Sequence, residues 1–249
     1  MQRGEDIVAR IDAAQMLRQT CDWAAINSGT GNLPGLARVA NSLADAFSAM
    51  PGAIELIEPA PVTEIDAAGN KGERAHGRHL VLRVRPQADR RLLLTGHMDT
   101  VFPSDHPFQS VTDVDADTII GPGTADMKGG LCVILHALAA FEATPDAARI
   151  GYDVMINSDE ETGSLSSAGL IAELARGKYA ALTYEPSALP DGTLAHARGG
   201  TGNYSVTIRG RSAHAGRNPQ EGRNALVAAA ELVLRLTRLA AEDITINPA

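Results

Sequence analysis

The feature that most limits the fold of this chain is the near-continuous apolar run at residues 91–95, RLLLT. A strand without polar alternation is buried on both faces, as in the centre of an α/β sheet. Periodicity and turn residues predict further strands at 53–58, 79–85, 150–157 and 179–184, and helices at 5–26, 35–50, 128–143 and 164–176. Between them, residues 102–123 are expected to form a loop. This alternation of strands and helices predicts a three-layer α/β domain.

The sequence changes in character near Leu194. Residues 202–209 alternate in the way of a strand with one covered face, a helix is expected at 221–240, and the last residues resemble the start of another strand. We therefore predict a boundary near residues 196–201, with one domain at 1–198 and another at 199–249. About fifty residues are few for an independent domain, so the second domain is expected to be incomplete.

Composition narrows the classes of function. The net charge is -8 and no run of Lys or Arg stands out, which argues against nucleic acid as a partner. No apolar segment approaches the roughly 20 residues that span a bilayer, and the first residues carry no apolar signal core, so we expect no membrane partner and a cytoplasmic location. The cysteines Cys21 and Cys132 form no CxxC pair, and Cys132 is expected to be a buried structural thiol.

The first group of chemically active residues is Gly96-His97-Met98-Asp99-Thr100, at the end of the buried strand. Ligands of open α/β sheets gather at the carboxyl ends of strands. His97 could bind zinc while Asp99, two residues on, holds the imidazole in its ligating tautomer. Alone, the pair is more simply interpreted as a buried, hydrogen-bonded histidine at a strand end.

Two acidic segments follow. Asp126 lies in GPGTADMKGG, where it could bridge two cations or cap a helix. Asp159, Glu160 and Glu161 follow the next apolar strand, where a cation would relieve their mutual repulsion, although a solvated acidic loop is the alternative. Of two adjacent glutamates, one can bind metal while the other handles protons.

Two further positions complete the set. Glu185 follows the strand at 179–184, which makes it the fourth acidic position at a strand end of one sheet. His214 lies in the glycine-flanked turn GRSAHAG, where a structural role is the simpler interpretation. Several of these positions are expected at strand ends of one sheet. Together they indicate a metal site more specifically than any one of them does alone.

Together these motifs resemble the di-zinc family of glutamate carboxypeptidase, acetylornithine deacetylase and succinyl-diaminopimelate desuccinylase. Within this family, the overall sequence pattern is most similar to the glutamate carboxypeptidase branch. The resemblance rests on GHMDTV, DMKGG and DEETGS in this order, together with the SAHAG turn. It implies an α/β fold: a three-layer zinc-exopeptidase-like catalytic domain with a mixed central sheet, plus part of a smaller α+β dimerisation (lid) domain. It also implies a homodimer.

The resemblance implies a role for each matching residue. His97, Asp126 and Glu185 would hold one Zn²⁺, Asp99 would orient the ring of His97, and the peptide from Asp126 to Met127 would be cis. Asp126 and Glu161 would hold a second Zn²⁺, with Co²⁺ or Mn²⁺ as alternative metals. Glu160 would be the general base, and His214 would stabilise the oxyanion in the other subunit. The substrate would be a small peptide or an N-acyl amino acid.

One departure from the family pattern affects the second metal. The family uses a second histidine ligand late in the chain, and no histidine follows His214. We therefore expect the chain to be a fragment or a truncated product that is inactive alone, because zinc usually needs three protein ligands or more.

Three functions are compatible with these residues. The first is a zinc-dependent hydrolase of the carboxypeptidase or deacylase type, in which a Glu base acts on a metal-activated water. The second is a truncated or degenerate homologue that binds metal without catalysis. The third is a serine hydrolase using Ser158 or Ser164, although neither lies in a Gly-x-Ser-x-Gly elbow.

Overall fold

The structure is a computed structural model that describes residues 7–66, 68–189, 191–195, 199–202 and 204–248. The chain falls into two compact units. The first comprises residues 1–64 and 71–200, and the second comprises residues 65–70 and 201–249. Part of the boundary predicted at 196–201 lies outside the described residues.

The first unit is built on a five-stranded sheet with the order β1-β4-β8-β5-β9. β1–β4 and β4–β8 are antiparallel, whereas β5 runs parallel to both β8 and β9, so the sheet is mixed as predicted. The strands are β1 (Ala53–Ile57), β4 (His79–Val84), β5 (Arg90–His97), β8 (Ile150–Asn157) and β9 (Ala180–Thr183). All five lie within three residues of their predicted ends.

Helices cover both faces of this sheet. They are α1 (Ala13–Ala24), α2 (Leu33–Phe47), α3 (Gly129–Glu142) and α4 (Ala168–Ala175). Leu80 and Leu82 of β4 pack in one buried cluster with side chains of α1, α2 and α3. Val81, which points to the other face, packs in a second cluster with Leu174 of α4. The α/β/α layering expected from the alternating pattern is therefore confirmed.

The predicted helix at 5–26 is shorter in the structure. Asp12 is extended and its carboxylate accepts a hydrogen bond from the backbone N–H of Gln15, so α1 begins at Ala13. Aspartate is a favoured N-cap residue because it satisfies a free N–H of the first turn. The apolar periodicity continues through this point, which is why it does not reveal the break.

The predicted loop at 102–123 contains a hairpin of β6 (Thr112–Asp115) and β7 (Thr118–Ile120), and another hairpin pairs β2 (Val62–Ile65) with β3 (Lys71–Arg74). By length and composition, the helical stretch Thr124–Glu142 is apolar enough to cross a membrane. Leu131, Ile134 and Leu138 of its α3 part are buried in the core, and this packing accounts for the apolarity.

The second unit contains α5 (Ala225–Thr237), which begins after the N-cap residue Asn224. The strand predicted at 202–209 is wrong for the described residues of that range, which form no strand. A strand requires a neighbour that accepts and donates backbone hydrogen bonds. Among the described residues from 201 onwards, bridges form only between Arg211 and Arg223 and between Ala241 and Ile244.

The buried ion pair of Lys178 and Asp153 generates a stability prediction. The Lys178 Nζ lies 2.7 Å from Asp153 Oδ2, with side chains 5% and 8% exposed. Removing one partner leaves a buried charge uncompensated, so we expect Lys178→Met to lower the free energy of unfolding by about 3 kcal/mol. Urea denaturation would measure this change.

The control for this prediction is Arg83→Met, which breaks the more exposed pair of Arg83 with Glu55. Such pairs contribute about 0–1 kcal/mol, so the control should remain close to the parent. The double variant Lys178→Met/Asp153→Leu should recover most of the lost stability. Equal effects of Lys178→Met and Arg83→Met would contradict the burial argument.

Candidate metal centre

Three parallel strands bring the predicted motifs to one edge of the sheet. His97 of β5 is in register with Asn157 of β8, and Thr95 is in register with Thr183 of β9. The carboxyl ends of these strands therefore lie side by side. The segments that follow them carry Asp99, the acidic loop at 159–161 and Glu185.

The ring of His97 is 1% exposed and is held from both sides. Its Nδ1 lies 3.0 Å from the backbone oxygen of Asp99 and 3.4 Å from that residue's Oδ1. This leaves Nε2 directed at Asp126, whose Oδ1 is 2.9 Å away. A ring fixed at Nδ1 with Nε2 directed outward is the usual arrangement of a ligating histidine.

A π-type turn, Thr124–Lys128, delivers Asp126 to this ring. The turn follows Gly123, which has a φ of 73°, a value that favours glycine, and the Asp126–Met127 peptide is cis, as the resemblance implies. Gly130 permits close approach to the end of β9, because a Cβ there would lie 2.1 Å from the Tyr184 oxygen. The first turn of α3, which follows Asp126, thereby packs directly against the residue that precedes Glu185.

The acidic residues converge on His97. Ligand atoms of His97, Asp126 and Glu161 all lie within 4.8 Å of one another. The His97 Nε2 is also 3.7 Å from Glu185 Oε1 and 4.0 Å from Glu160 Oε2. The structure therefore brings together every site residue predicted in the first unit.

Asp99 connects the two halves of this group. Its fully buried carboxylate accepts hydrogen bonds from the backbone N–H groups of Glu160 and Glu161, each at 3.2 Å. It also accepts one from the Thr30 hydroxyl at 2.8 Å. The motifs that predict the candidate site do not include Thr30. A threonine between two glycines in a turn was the available signal.

The pKa shifts of these side chains show that the group holds more negative charge than its positive charge can balance. Burial raises the pKa of Glu161, and the charges of neighbouring acids add to this, so that it reaches about 7. Burial also raises the pKa of Glu160. Burial lowers the pKa of His97, but the neighbouring carboxylates of Asp99 and Glu185 outweigh this and raise it to about 11.

These residues fit a divalent metal ion. Five carboxylates surround one imidazole, and imidazole nitrogen with carboxylate oxygens forms a donor set that zinc accepts. A bound cation would replace the proton on His97 and offset the repulsion that raises the pKa of Glu161. Asp126, with a side chain 55% exposed, keeps an oxygen accessible.

A second buried polar network lies beneath the acidic loop. The Asp159 carboxylate accepts hydrogen bonds from the Ser166 N–H at 2.7 Å, the Ser166 hydroxyl at 2.8 Å and the Ser167 hydroxyl at 2.7 Å. Burial raises the pKa of Asp159, but these hydrogen bonds outweigh it and lower the pKa. Its backbone oxygen accepts from the N–H of Ser164 at 2.8 Å. Asp159 therefore organises the turn that carries Glu160 and Glu161. Because this turn extends to residue 167, α4 begins at Ala168 and not at residue 164 as predicted.

The remaining predicted residues have other environments. Ser158 is fully buried and donates to the Gly77 oxygen at 2.7 Å, so it cannot reach a substrate, and the Ser164 hydroxyl accepts from Asn157 at 3.1 Å. Both environments argue against a serine nucleophile. Cys132 is buried and its Sγ lies 3.3 Å from the Met16 oxygen, as expected of a structural thiol.

His214 lies in the second unit. It is exposed in the turn between the paired Arg211 and Arg223, and its Nδ1 accepts from the Gly216 N–H at 3.1 Å.

Comparison with known proteins places the chain in a family. Residues 93–246 match the model of peptidase family M20/M25/M40. The chain belongs to this family of peptidases. It is 34% identical over 210 residues to carboxypeptidase G2 of Pseudomonas sp. (strain RS-16), covering 84% of this chain and 48% of that protein. It is 33% identical over 155 residues to acetylornithine deacetylase of Klebsiella pneumoniae (strain 342), covering 59% and 38%.

Solved structures agree on the fold. The chain superposes on a tripeptidase from Staphylococcus aureus with a TM-score of 0.54 and 22% identity, covering 91% of this chain and 57% of that one. Human carnosine dipeptidase 1 gives a TM-score of 0.55 and 17% identity, covering 70% and 39%. The chain spans less than half the length of the curated relatives it matches.

The network around Asp159 generates a second prediction. Asp159→Asn replaces an acceptor of three short hydrogen bonds by a side chain with one oxygen, which leaves buried donors unsatisfied. We expect a loss of about 2–3 kcal/mol in the free energy of unfolding. Zinc affinity should fall as well, because the turn carrying Glu161 loses its support. Urea denaturation and zinc titration would measure the two changes.

The control for Asp159→Asn is Asp146→Asn, at an exposed position outside the group. It should alter neither stability nor zinc affinity appreciably. Ser166→Ala removes one of the hydroxyl donors and should have an intermediate effect. A stable Asp159→Asn variant with parental zinc affinity would show that the network is dispensable.

Proposed function

We propose that this chain carries the metal-binding part of a zinc-dependent amide hydrolase that cleaves a small peptide or an N-acyl amino acid. The observation that carries the proposal is the convergence of His97, Asp126 and Glu161 ligand atoms within 4.8 Å, with Glu160 beside them. Membership of a peptidase family and the names of the relatives, a carboxypeptidase and a deacetylase, support the reaction class.

In this proposal His97, Asp126 and Glu185 hold one zinc ion, and Asp126 and Glu161 hold a second. Asp99 fixes the ring of His97 and, through the amides of Glu160 and Glu161, the position of the acidic turn. Bound zinc would lower the pKa of a water molecule and polarise the scissile carbonyl. Cobalt or manganese could substitute in the same donor set.

Glu160 is the proposed general base. As the water oxygen attacks the amide carbon, the Glu160 carboxylate accepts the water proton. When the C–N bond breaks, Glu160 returns that proton to the leaving amine, so that an acid and an amine are released. A raised pKa suits this role, because the carboxyl must both accept and donate a proton near neutral pH.

The second unit has a proposed part in the same reaction. We propose that residues 1–198 form the catalytic domain and residues 199–249 the N-terminal part of a dimerisation domain. The division of compact units at Gly200 and Thr201 supports this boundary. His214 would donate a hydrogen bond to the carbonyl oxygen of a substrate bound by the other subunit of a homodimer, as charge develops there.

The test compares Glu160→Gln with the parent in the protein that contains this chain, using dipeptides and N-acyl amino acids as substrates. We expect kcat to fall by about 10²–10⁴-fold while the zinc content is unchanged, because only the proton acceptor is lost. His97→Gln should instead lose zinc. Glu173→Gln, on the exposed surface of α4, is the control and should retain activity.

Other outcomes would contradict particular parts of the proposal. Full activity of Glu160→Gln would remove the base assignment. Absence of zinc from the parent would remove the metal assignment. Tightly bound zinc without turnover on any amide would favour the alternative function, metal binding without catalysis, which the single histidine in the group also permits.

A further inference from the structure

The buried imidazole of His79 has no role in the proposal so far. His79 is the first residue of β4, the antiparallel neighbour of β8, and it is 1% exposed. Its Nδ1 lies 3.3 Å from the backbone nitrogen of Ser158, and its Nε2 lies 3.3 Å from the Oγ of Ser166. These two serines stand at the two ends of the segment that carries Glu160 and Glu161. One ring therefore bridges both ends of that segment.

The hydrogen bonds of the ring fix its protonation state. A backbone N–H can only donate, so the N–H of Ser158 requires an unprotonated Nδ1. The single proton of the neutral ring is then on Nε2, which donates to the Ser166 hydroxyl oxygen. That hydroxyl in turn donates to Asp159 Oδ2 at 2.8 Å. A directed chain of hydrogen bonds thus runs from His79 through Ser166 to Asp159, the residue that organises the acidic turn.

The surroundings of the ring favour the same protonation state. Burial lowers the pKa of His79, and the negative charge of Asp159 offsets this only in part. Asp99 acts in the same direction as Asp159, whereas His76 lowers the pKa further. The ring is therefore neutral near pH 7, as its hydrogen-bond partners require. A second proton on the ring would place an N–H at Nδ1 against the N–H of Ser158.

The ring acts on the candidate metal centre only through the acidic turn. In the part of the chain that the structure describes, the hydrogen bonds of the ring go to Ser158 and Ser166. Ser158 directly precedes Asp159, and Glu160 and Glu161 directly follow it. Groups that orient the residues around a metal affect its affinity without touching it.

We propose that His79 is a positioning residue of the candidate metal centre, whose neutral ring ties residue 158 to residue 166 and thereby holds Glu160 and Glu161 towards His97. The part of this proposal that concerns zinc rests on the function proposed above. The part that concerns the order of the turn is independent of any metal.

Side-chain nitrogen NMR of the metal-free protein tests the protonation state of the ring. We expect the proton of His79 on Nε2, and a ring that is mostly neutral at pH 6.5, the usual pKa of a histidine. The signals that disappear in His79→Gln assign the ring. A proton on Nδ1, or a charged ring at neutral pH, would overturn the proposal.

Variants at position 79 separate the hydrogen bonds of the ring from its volume. His79→Gln can keep a donor near the position of Nε2, His79→Asn can keep an acceptor near the position of Nδ1, and His79→Leu keeps neither. We expect His79→Leu to weaken zinc binding about tenfold, the usual effect of losing such a support. Each amide variant should retain part of the affinity, because it preserves one half of the bridge. Calorimetric zinc titration measures these differences.

Amide hydrogen exchange reports on the same turn without zinc. The N–H groups of Glu160 and Glu161 donate to the buried Asp99 carboxylate. In metal-free His79→Leu they should exchange about tenfold faster than in the parent, because the loss of one hydrogen bond favours local opening of the turn by about that factor. His79→Gln should again be intermediate.

Two control variants accompany these measurements. His136→Leu removes another histidine of the first unit, whose Nε2 lies 2.9 Å from Gln19 Oε1 at a site between α1 and α3. Lys178→Met lowers the stability of the first unit by breaking its buried ion pair. Both should leave the zinc affinity and the exchange of the Glu160 and Glu161 amides close to those of the parent.

The outcomes separate this inference from the function on which it partly rests. If the parent binds zinc and His79→Leu keeps the parental affinity and exchange rates, the positioning role is wrong and the proposed function stands. Equal losses in the leucine variant and in both amide variants would show that only the volume of the ring matters, which also overturns the role. The same holds if Lys178→Met accelerates exchange in the turn as much as His79→Leu does.

Two further results have a defined meaning. If His79→Leu does not fold, His79→Gln and His79→Asn are compared with the parent instead, and parental zinc affinity and exchange in both would overturn the positioning role. A parent that binds no zinc overturns the proposed function, and the exchange rates of the turn then test the positioning role by themselves.

Discussion

The hydrogen bonds accepted by the buried Asp99 carboxylate are the interaction on which the site depends. One carboxylate fixes the backbone of the turn that carries Glu160 and Glu161, binds Thr30 from the loop before α2, and lies against the ring of His97. A buried charge is costly unless it is paired and hydrogen-bonded. The chain meets that requirement with donors from separate segments, so the stability of Asp99 and the geometry of the candidate metal centre have the same origin.

The sheet explains why acids can be crowded at this edge. β5, β8 and β9 are parallel and end together. The segment that follows each strand therefore lies at the same edge of the sheet. A packed core beneath β8 and β5 keeps these strand ends in place. The carboxylates that follow them are therefore held close together, and their charges repel one another. The raised pKa of Glu161 reflects this repulsion, and a bound metal cation would offset it.

Apolar runs made the central strands predictable, because β5 and β8 need little beyond burial to form. The convergence of His97, Glu160, Glu161 and Glu185 was predictable for a related reason: motifs at the ends of parallel strands have little freedom. Asp126 follows no parallel strand, and only the resemblance to the family predicted its place in the group. Hydrogen-bond partners were not predictable in this way. Asp12 sets the start of α1 through one capping bond, and Thr30 acts through one hydroxyl. Residues 202–209 have a strand pattern, but their described residues form no strand. Side-chain periodicity specifies faces, and it carries no information about which distant group accepts a hydrogen bond.

Burial divides the acids of this region into two kinds. Asp99 and Asp159 are fully buried, and fixed N–H and hydroxyl donors satisfy their carboxylates. Glu160 and Asp126 have side chains about half exposed, and their oxygens lie near the ring of His97. A carboxylate whose hydrogen bonds are already satisfied has little to gain from a metal ion or a proton, whereas an accessible one beside like charges gains from either. In the proposed reaction, the exposed acids therefore carry the chemistry, and the buried acids supply the rigidity that this chemistry requires.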